Sequence, residues 1–120
     1  MQHLNKTKEF GRKKNQRSAL WKTMLGSLIM YEKITTTETK AKELKIRIDK
    51  IINKAKKADK ASKRINIIRD LKKDLPAMAV KKITGEFLKK FDRRVSGYAR
   101  VIKLAPRKSD NARMATIEFV

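Results

Sequence analysis

Ile34-Thr35-Thr36-Thr37-Glu38-Thr39-Lys40-Ala41-Lys42-Glu43-Leu44 passes from a β-branched run into a helical pattern, and this junction decides the fold. Two heavy atoms on Cβ crowd a helical turn, so Ile34 to Thr37 favour extended backbone. Thr37 is placed to cap the helix that follows. Glu38, at the first helical position, sets its charge against the positive end of the helix dipole. From Ala41 onward the apolar residues Leu44, Ile48, Ile51, Ile52 and Ala55 recur at helical spacing, which predicts a helix from Glu38 to about Lys57.

Upstream of the junction, Leu20, Met24 and Leu28 form one row at i, i+4, i+8, and Trp21, Leu25 and Ile29 form the next. The stripe predicts a helix over Asn15 to Met30 that needs a core. Gly26 inside it costs about 1 kcal/mol against Ala, which implies a close helix approach. Before this helix, residues 1–14 read as an extended basic arm with Leu4 and Phe10 as anchors and Gly11 at a turn.

Downstream, a third helix is expected over Lys60 to Leu71, capped by Asp59, with Ala61, Ile65, Ile68 and Leu71 inward. A fourth, capped by Asp74 with Leu75 and Pro76 at its start, carries Ala77, Val80, Ile83, Phe87 and Phe91, and Gly85 is placed to break it. After Ser96-Gly97 the period changes to two. Tyr98 to Leu104 and Met114 to Phe119 read as strands joined by the basic, turn-rich stretch Ala105 to Arg113. The expected architecture is α+β. It is a two-layer α/β domain in the order α-β-α-α-α-β-β, with a small three-stranded mixed sheet covered by helices. One domain over residues 15–120 follows the arm.

Charge bounds the function. Lys and Arg number 33 and Asp and Glu 12, a formal net charge of +21 that repels itself in the compact state. A polyanion relieves that repulsion, and phosphate backbones are the commonest such partner. Cysteine is absent, which excludes disulfides, thiol nucleophiles and thiolate metal sites. His3 is the sole histidine and sits in the arm, where a phosphate or sugar contact suits it better than acid–base work. The acids lie mostly within one turn of a Lys or Arg, as helix-surface pairs do. With no P-loop and no dinucleotide fingerprint, neither catalysis nor a cofactor is expected. No apolar run suits a signal peptide or a membrane span, so a cytoplasmic protein is expected.

Zinc spacing, an RNP aromatic pair and a KH loop are all missing. The positive charge is spread over arm, helices and loop, which suits a folded RNA held through phosphates and shape. Two rival readings remain at this level. One is a free-standing basic RNA- or DNA-binding protein with an architectural or regulatory role. The other is a membrane-surface protein using basic amphipathic helices.

The junction also resembles the signature of the family of the seventeenth protein of the bacterial large ribosomal subunit. Ile34, Thr36-Thr37 and Lys40-Ala41-Lys42-Glu43 match its pattern. The resemblance extends upstream through Gly11-Arg12, Arg17, Ala19-Leu20 and Ser27-Leu28-Ile29. Downstream it continues through Gly97-Tyr98, Arg100, Lys103, Arg107, Asp110, Ala112, Met114 and Ile117 to Val120. Departures include Gln2 and Gln16, where the family usually has Arg and His. The resemblance implies a non-catalytic structural component of the large subunit. It would bind 23S ribosomal RNA near the nascent-chain exit region, beside neighbouring large-subunit proteins.

The residues expected to contact RNA are His3, Lys6, Lys8, Arg12, Lys13, Lys14 and Arg17 in the arm and the start of helix one, with Lys22 beyond them. Arg107, Lys108 and Arg113 are expected from the strand connection. Lys40, Lys42, Tyr98 and Arg100 join them at positions that the resemblance matches.

Overall fold

In a computed structural model of the chain, residues 8–60 and 64–120 are described. The elements run α1 (Lys14–Tyr31), β1 (Lys33–Thr37), α2 (Glu38–Lys60), α3 (Arg64–Asp74), α4 (Ala77–Ile83), a 3-10 helix (Glu86–Phe91), β2 (Ala99–Lys103) and β3 (Met114–Phe119). The α+β order is the expected one, with the 3-10 helix beginning just past Gly85.

The sheet is antiparallel throughout, in the order β1-β3-β2, and not mixed as expected. β2 and β3 form a hairpin, and β3 inserts between the two other strands. β1 and β2 run in the same direction but never meet. The alternation in the sequence marks strands without marking which one is central. Burial supplies that: Ala115, Thr116 and Ile117 of β3 are all buried, whereas both edge strands are partly open.

Register sets two faces. Ile34, Ile117 and Val101 align across the three strands on the helix-covered face, and α2 lies across all three. On the opposite face Thr35 meets Thr116, their hydroxyls 3.2 Å apart. Beside them Glu118 accepts from Arg100 at 2.8 Å and lies 4.0 Å from Lys33.

The core joins α1 (Leu28, Ile29), α2 (Leu44, Ile48, Ile52), α3 (Leu71), α4 (Ile83) and β3 (Ile117), all at 0% exposure. Phe87, Phe91, Tyr98 and Phe119 add an aromatic cluster with centroids 5.0–5.6 Å apart. Gly26 faces Pro76: a Cβ there would lie 2.7 Å from Pro76 Cγ. The close helix approach expected of this glycine is therefore made at the start of α4.

Three expectations downstream are corrected. α2 continues to Lys60, so Asp59 lies within it and not at the start of the next helix. α3 is described from Arg64 and runs through Asp74, and Leu75 N–H still donates to the Leu71 carbonyl at 2.9 Å. Asp74 thus ends one helix and does not begin the next, whose N-cap is Pro76. Ile67, Ile68 and Leu71 face inward, whereas Ile65, expected inward, is 69% exposed. Ala61 lies outside the described residues. At the opening junction the Glu38 N–H donates to the Arg113 carbonyl at 2.9 Å. Among the described residues no amide reaches the Thr37 hydroxyl, because Thr37 is held in the strand opposite Met114.

α2 also fixes the turn into β2. The Asp49 carboxylate accepts the Gly97 and Tyr98 amides at 3.3 and 3.2 Å. One helical turn on, Asn53 Oδ1 accepts the Tyr98 hydroxyl at 2.6 Å. The Lys56 ammonium donates to the carbonyls of Phe91 and Arg94 and lies 4.6 Å from the Tyr98 ring centroid.

Candidate nucleic-acid interface

Positive charge collects in three places, each set by a different piece of local structure. The first is the approach to α1. Phe10 and Gly11 both take positive φ, at 53° and 64°, and turn the chain back on the helix. Phe10 then packs edge-on against Trp21 at 5.4 Å. Arg12 Nη1 donates to the Phe10 carbonyl and Arg17 Nη1 to the Arg12 carbonyl, both at 2.7 Å. These two arginines therefore hold the turn. Gln16, one of the departures noted above, accepts the Lys13 amide at 3.2 Å and so closes part of the helix start. Lys8, Lys13 and Lys14 are exposed.

The second place is the β2–β3 connection. Arg107 donates to both carboxylate oxygens of Asp110, at 2.9 and 2.6 Å. Asp110 also accepts the Ala112 amide at 3.2 Å. The backbone closes the turn with Arg107 N–H to the Ala112 carbonyl and Asn111 N–H to the Arg107 carbonyl, at 2.9 and 2.8 Å. Asn111 supplies the left-handed residue, at φ 57°. The Arg107 guanidinium, first among several causes, pulls the Asp110 carboxyl down to about 2. Lys108 and Arg113 stand exposed on this braced loop.

At the base of the loop lies Glu38. Lys42 meets it at 2.8 Å and Lys103 at 3.6 Å. The Lys42 hydrogen bond holds the Glu38 carboxyl below its usual range. Lys40, two residues past Glu38, is half-buried.

The third place was not anticipated as a site. A cleft of about 450 Å³ separates α1 from α2 and reaches the end of α3. Lys14, Arg17 and Lys22 line it from α1, and Arg47, Lys50 and Lys54 from α2. In the sequence Lys50 and Lys54 lie off the apolar stripe of α2. Helical spacing gives which residues share a face, but not that a second basic helix lies opposite.

Pairing sorts the expected contact residues. Among the described residues Lys8, Lys13, Lys14, Lys22, Lys40, Lys108 and Arg113 have no acidic partner. Lys42, Arg100 and Arg107 are each in an ion pair within the fold. Tyr98 is corrected: it is 0% exposed, with its hydroxyl on Asn53, so its side chain has no surface to offer a ligand. A tyrosine in a strand gives no sign from its neighbours of which face it takes when the register is unknown. His3 and Lys6 lie outside the described residues. No group of three or more His, Cys, Asp or Glu residues that could hold a metal ion occurs among the described residues.

Residues 20–120 match the family described as ribosomal protein L17. The chain belongs to the ribosomal protein L17 family. A relative from Thermodesulfovibrio yellowstonii, named large ribosomal subunit protein bL17, is 42% identical over 120 residues. That match takes in 100% of this chain and 87% of the relative. The Staphylococcus carnosus protein of the same name is 39% identical over 119 residues, covering 94% of this chain and 98% of its own. One from Hydrogenobaculum sp. is 38% identical, covering 100% and 99%. No helix among the described residues is long and apolar enough to cross a membrane.

Proposed function

We propose that this protein is a structural constituent of the large ribosomal subunit that binds and stabilises folded 23S rRNA. The observation that carries the reading is family membership over nearly the whole chain, combined with unpaired cations on two braced segments. The loop cations Lys108 and Arg113 and the arm cations Lys8, Lys13 and Lys14 neutralise phosphates where RNA helices crowd, and release counterions as they do so. Arg12, Arg17 and Arg107 hold the backbone that presents them. Pre-organisation matters because ordering a loop at the moment of binding subtracts from affinity. The site of action is the cytoplasmic ribosome, near the nascent-chain exit region and beside neighbouring large-subunit proteins, as the family resemblance implies. No catalytic step is part of this role.

Sedimentation of a lysate through a sucrose gradient tests the assignment. The protein is expected in the large-subunit peak, and its absence there would sink the proposal. Deletion of residues 1–13 tests the mechanism. It is expected to weaken binding to 23S rRNA and to flatten the dependence of affinity on salt.

A further inference from the structure

The cleft between α1 and α2 is distinct from the β2–β3 loop and is built differently. Its floor is apolar, from Trp21, Leu25 and Ile51. Its rims carry three cations from each helix, and Lys73 closes one end. The acids that line it are Glu43 and Asp74, against seven bases. Asp74 is occupied by Lys54 at 3.7 Å, and Glu43 lies 3.4 Å from Arg47 Nε. That Arg47–Glu43 contact is within ion-pair distance but misaligned for a hydrogen bond, which leaves the buried Nε without an acceptor. The indole N–H of Trp21, a residue 4% exposed, is likewise without an acceptor among the described residues. Both donors are shut off from solvent beneath the cleft, so the contacts open to a ligand are the cations on its rims. Arg47 Cζ lies over the Trp21 ring, 4.6 Å from its centroid. Ile46 on the rim is 55% exposed and offers an apolar contact beside the charges.

We infer that this cleft is a second RNA seat, taking one backbone strand between α1 and α2, separate from the segment held by the β2–β3 loop. The inference rests on the RNA-binding reading above and deepens it. Phosphate oxygens match the two rims of cations, and a ribose or base edge matches Ile46 and the Arg47–Trp21 stack. α2 links the two seats rigidly. The loop is tied to Glu38 at the helix start, and Lys50 and Lys54 lie roughly 18–24 Å further along the axis at about 1.5 Å per residue. The protein then acts as a strut that fixes the spacing of two RNA segments.

Hydroxyl-radical footprinting on 23S rRNA tests this with the full chain and two variants. The cleft variant is Lys22→Ala/Lys50→Ala/Lys73→Ala, and the loop variant is Lys108→Ala/Arg113→Ala. All five side chains are exposed and outside the core. The wild type is expected to protect two separate RNA segments, with each variant losing one of them. Trp21 is the sole tryptophan, so its emission reports the cleft directly. Decauridylate at low salt is expected to quench it in the wild type and the loop variant, but several-fold less in the cleft variant. A cleft variant that keeps the full footprint and the full quenching overturns the second seat, and so does loss of one and the same segment by both variants. If the loop variant and the arm deletion also left binding and its salt dependence intact, the function proposed above would fall with it.

Discussion

Arg107 and Asp110 face each other across the β2–β3 turn through two hydrogen bonds, Nε to Oδ1 at 2.9 Å and Nη2 to Oδ2 at 2.6 Å. A planar guanidinium matches a carboxylate in this way and an ammonium does not. Arg107→Lys keeps the charge and loses the brace. The expected outcome is faster amide exchange at Asn111 and Ala112, with rRNA affinity reduced and its salt slope unchanged. Lys108→Ala, which removes an unpaired charge, is expected to lower that slope by about one. Wild-type amide exchange at Asn111 and Ala112 in Arg107→Lys would show that the brace does not order the turn.

The same pair sets a pH dependence. Asp110 is held at about 2 in the folded loop, against 3.8 for the free group. A depressed carboxyl contributes order above its unfolded value and loses that contribution as pH falls through the folded one. The loop is therefore expected to stay braced at neutral pH and to loosen between about pH 4 and pH 2. A carbon-13 NMR titration of the Asp110 carboxyl measures this directly. A midpoint near 4 would mean that the brace does not hold in solution.

Gly26 gives a prediction in which two effects oppose each other. By helix propensity alone Gly26→Ala gains about 1 kcal/mol. The new Cβ would meet Pro76 Cγ and Cδ at 2.7 and 2.8 Å, in a ring that cannot swing away. Overpacking of this kind costs roughly 1–3 kcal/mol, so a net loss of about 1 kcal/mol is expected by thermal or denaturant unfolding. On a Pro76→Ala background the same substitution is expected to stabilise. A stabilising Gly26→Ala in the native background would show that α1 and α4 separate more readily than their packing suggests.

The order of elements was legible because each carries its own period. The stripe Leu20, Met24, Leu28 and the alternation from Met114 to Phe119 need no knowledge of the rest of the chain. Gly26 was legible as a close approach, though not the partner it meets. What stayed hidden depends on contacts distant in sequence. The central place of β3 is decided by pairing 81 residues away, as between Thr35 and Thr116. The basic cleft exists only because α1 and α2 lie side by side. Arg12, Arg17 and Arg107 read as charges for RNA, yet their guanidinium groups are bound to carbonyls and to Asp110. Nearby acceptors could have signalled this for Arg107, since Asp110 stands three residues on. For Arg12 and Arg17 the acceptors are main-chain carbonyls, to which side-chain patterns give no clue.

Tyr98 separates a core role from a contact with RNA. Its hydroxyl donates to Asn53 Oδ1 at 2.6 Å and also lies 3.3 Å from the Arg94 carbonyl, while its ring packs on Phe91. Tyr98→Phe keeps the ring and leaves the Asn53 oxygen without this donor. A net loss of about 1 kcal/mol is expected, equivalent to a fall of about 4 °C in Tm for a domain of this size. Affinity for 23S rRNA and its salt slope are expected to stay at wild-type values below that Tm. Asn53→Ala, which removes the acceptor from the other side, is expected to lose a similar amount, and the double variant less than the sum. Tenfold weaker rRNA binding by Tyr98→Phe at unchanged stability would place the hydroxyl on RNA and reverse the assignment of this residue to the core.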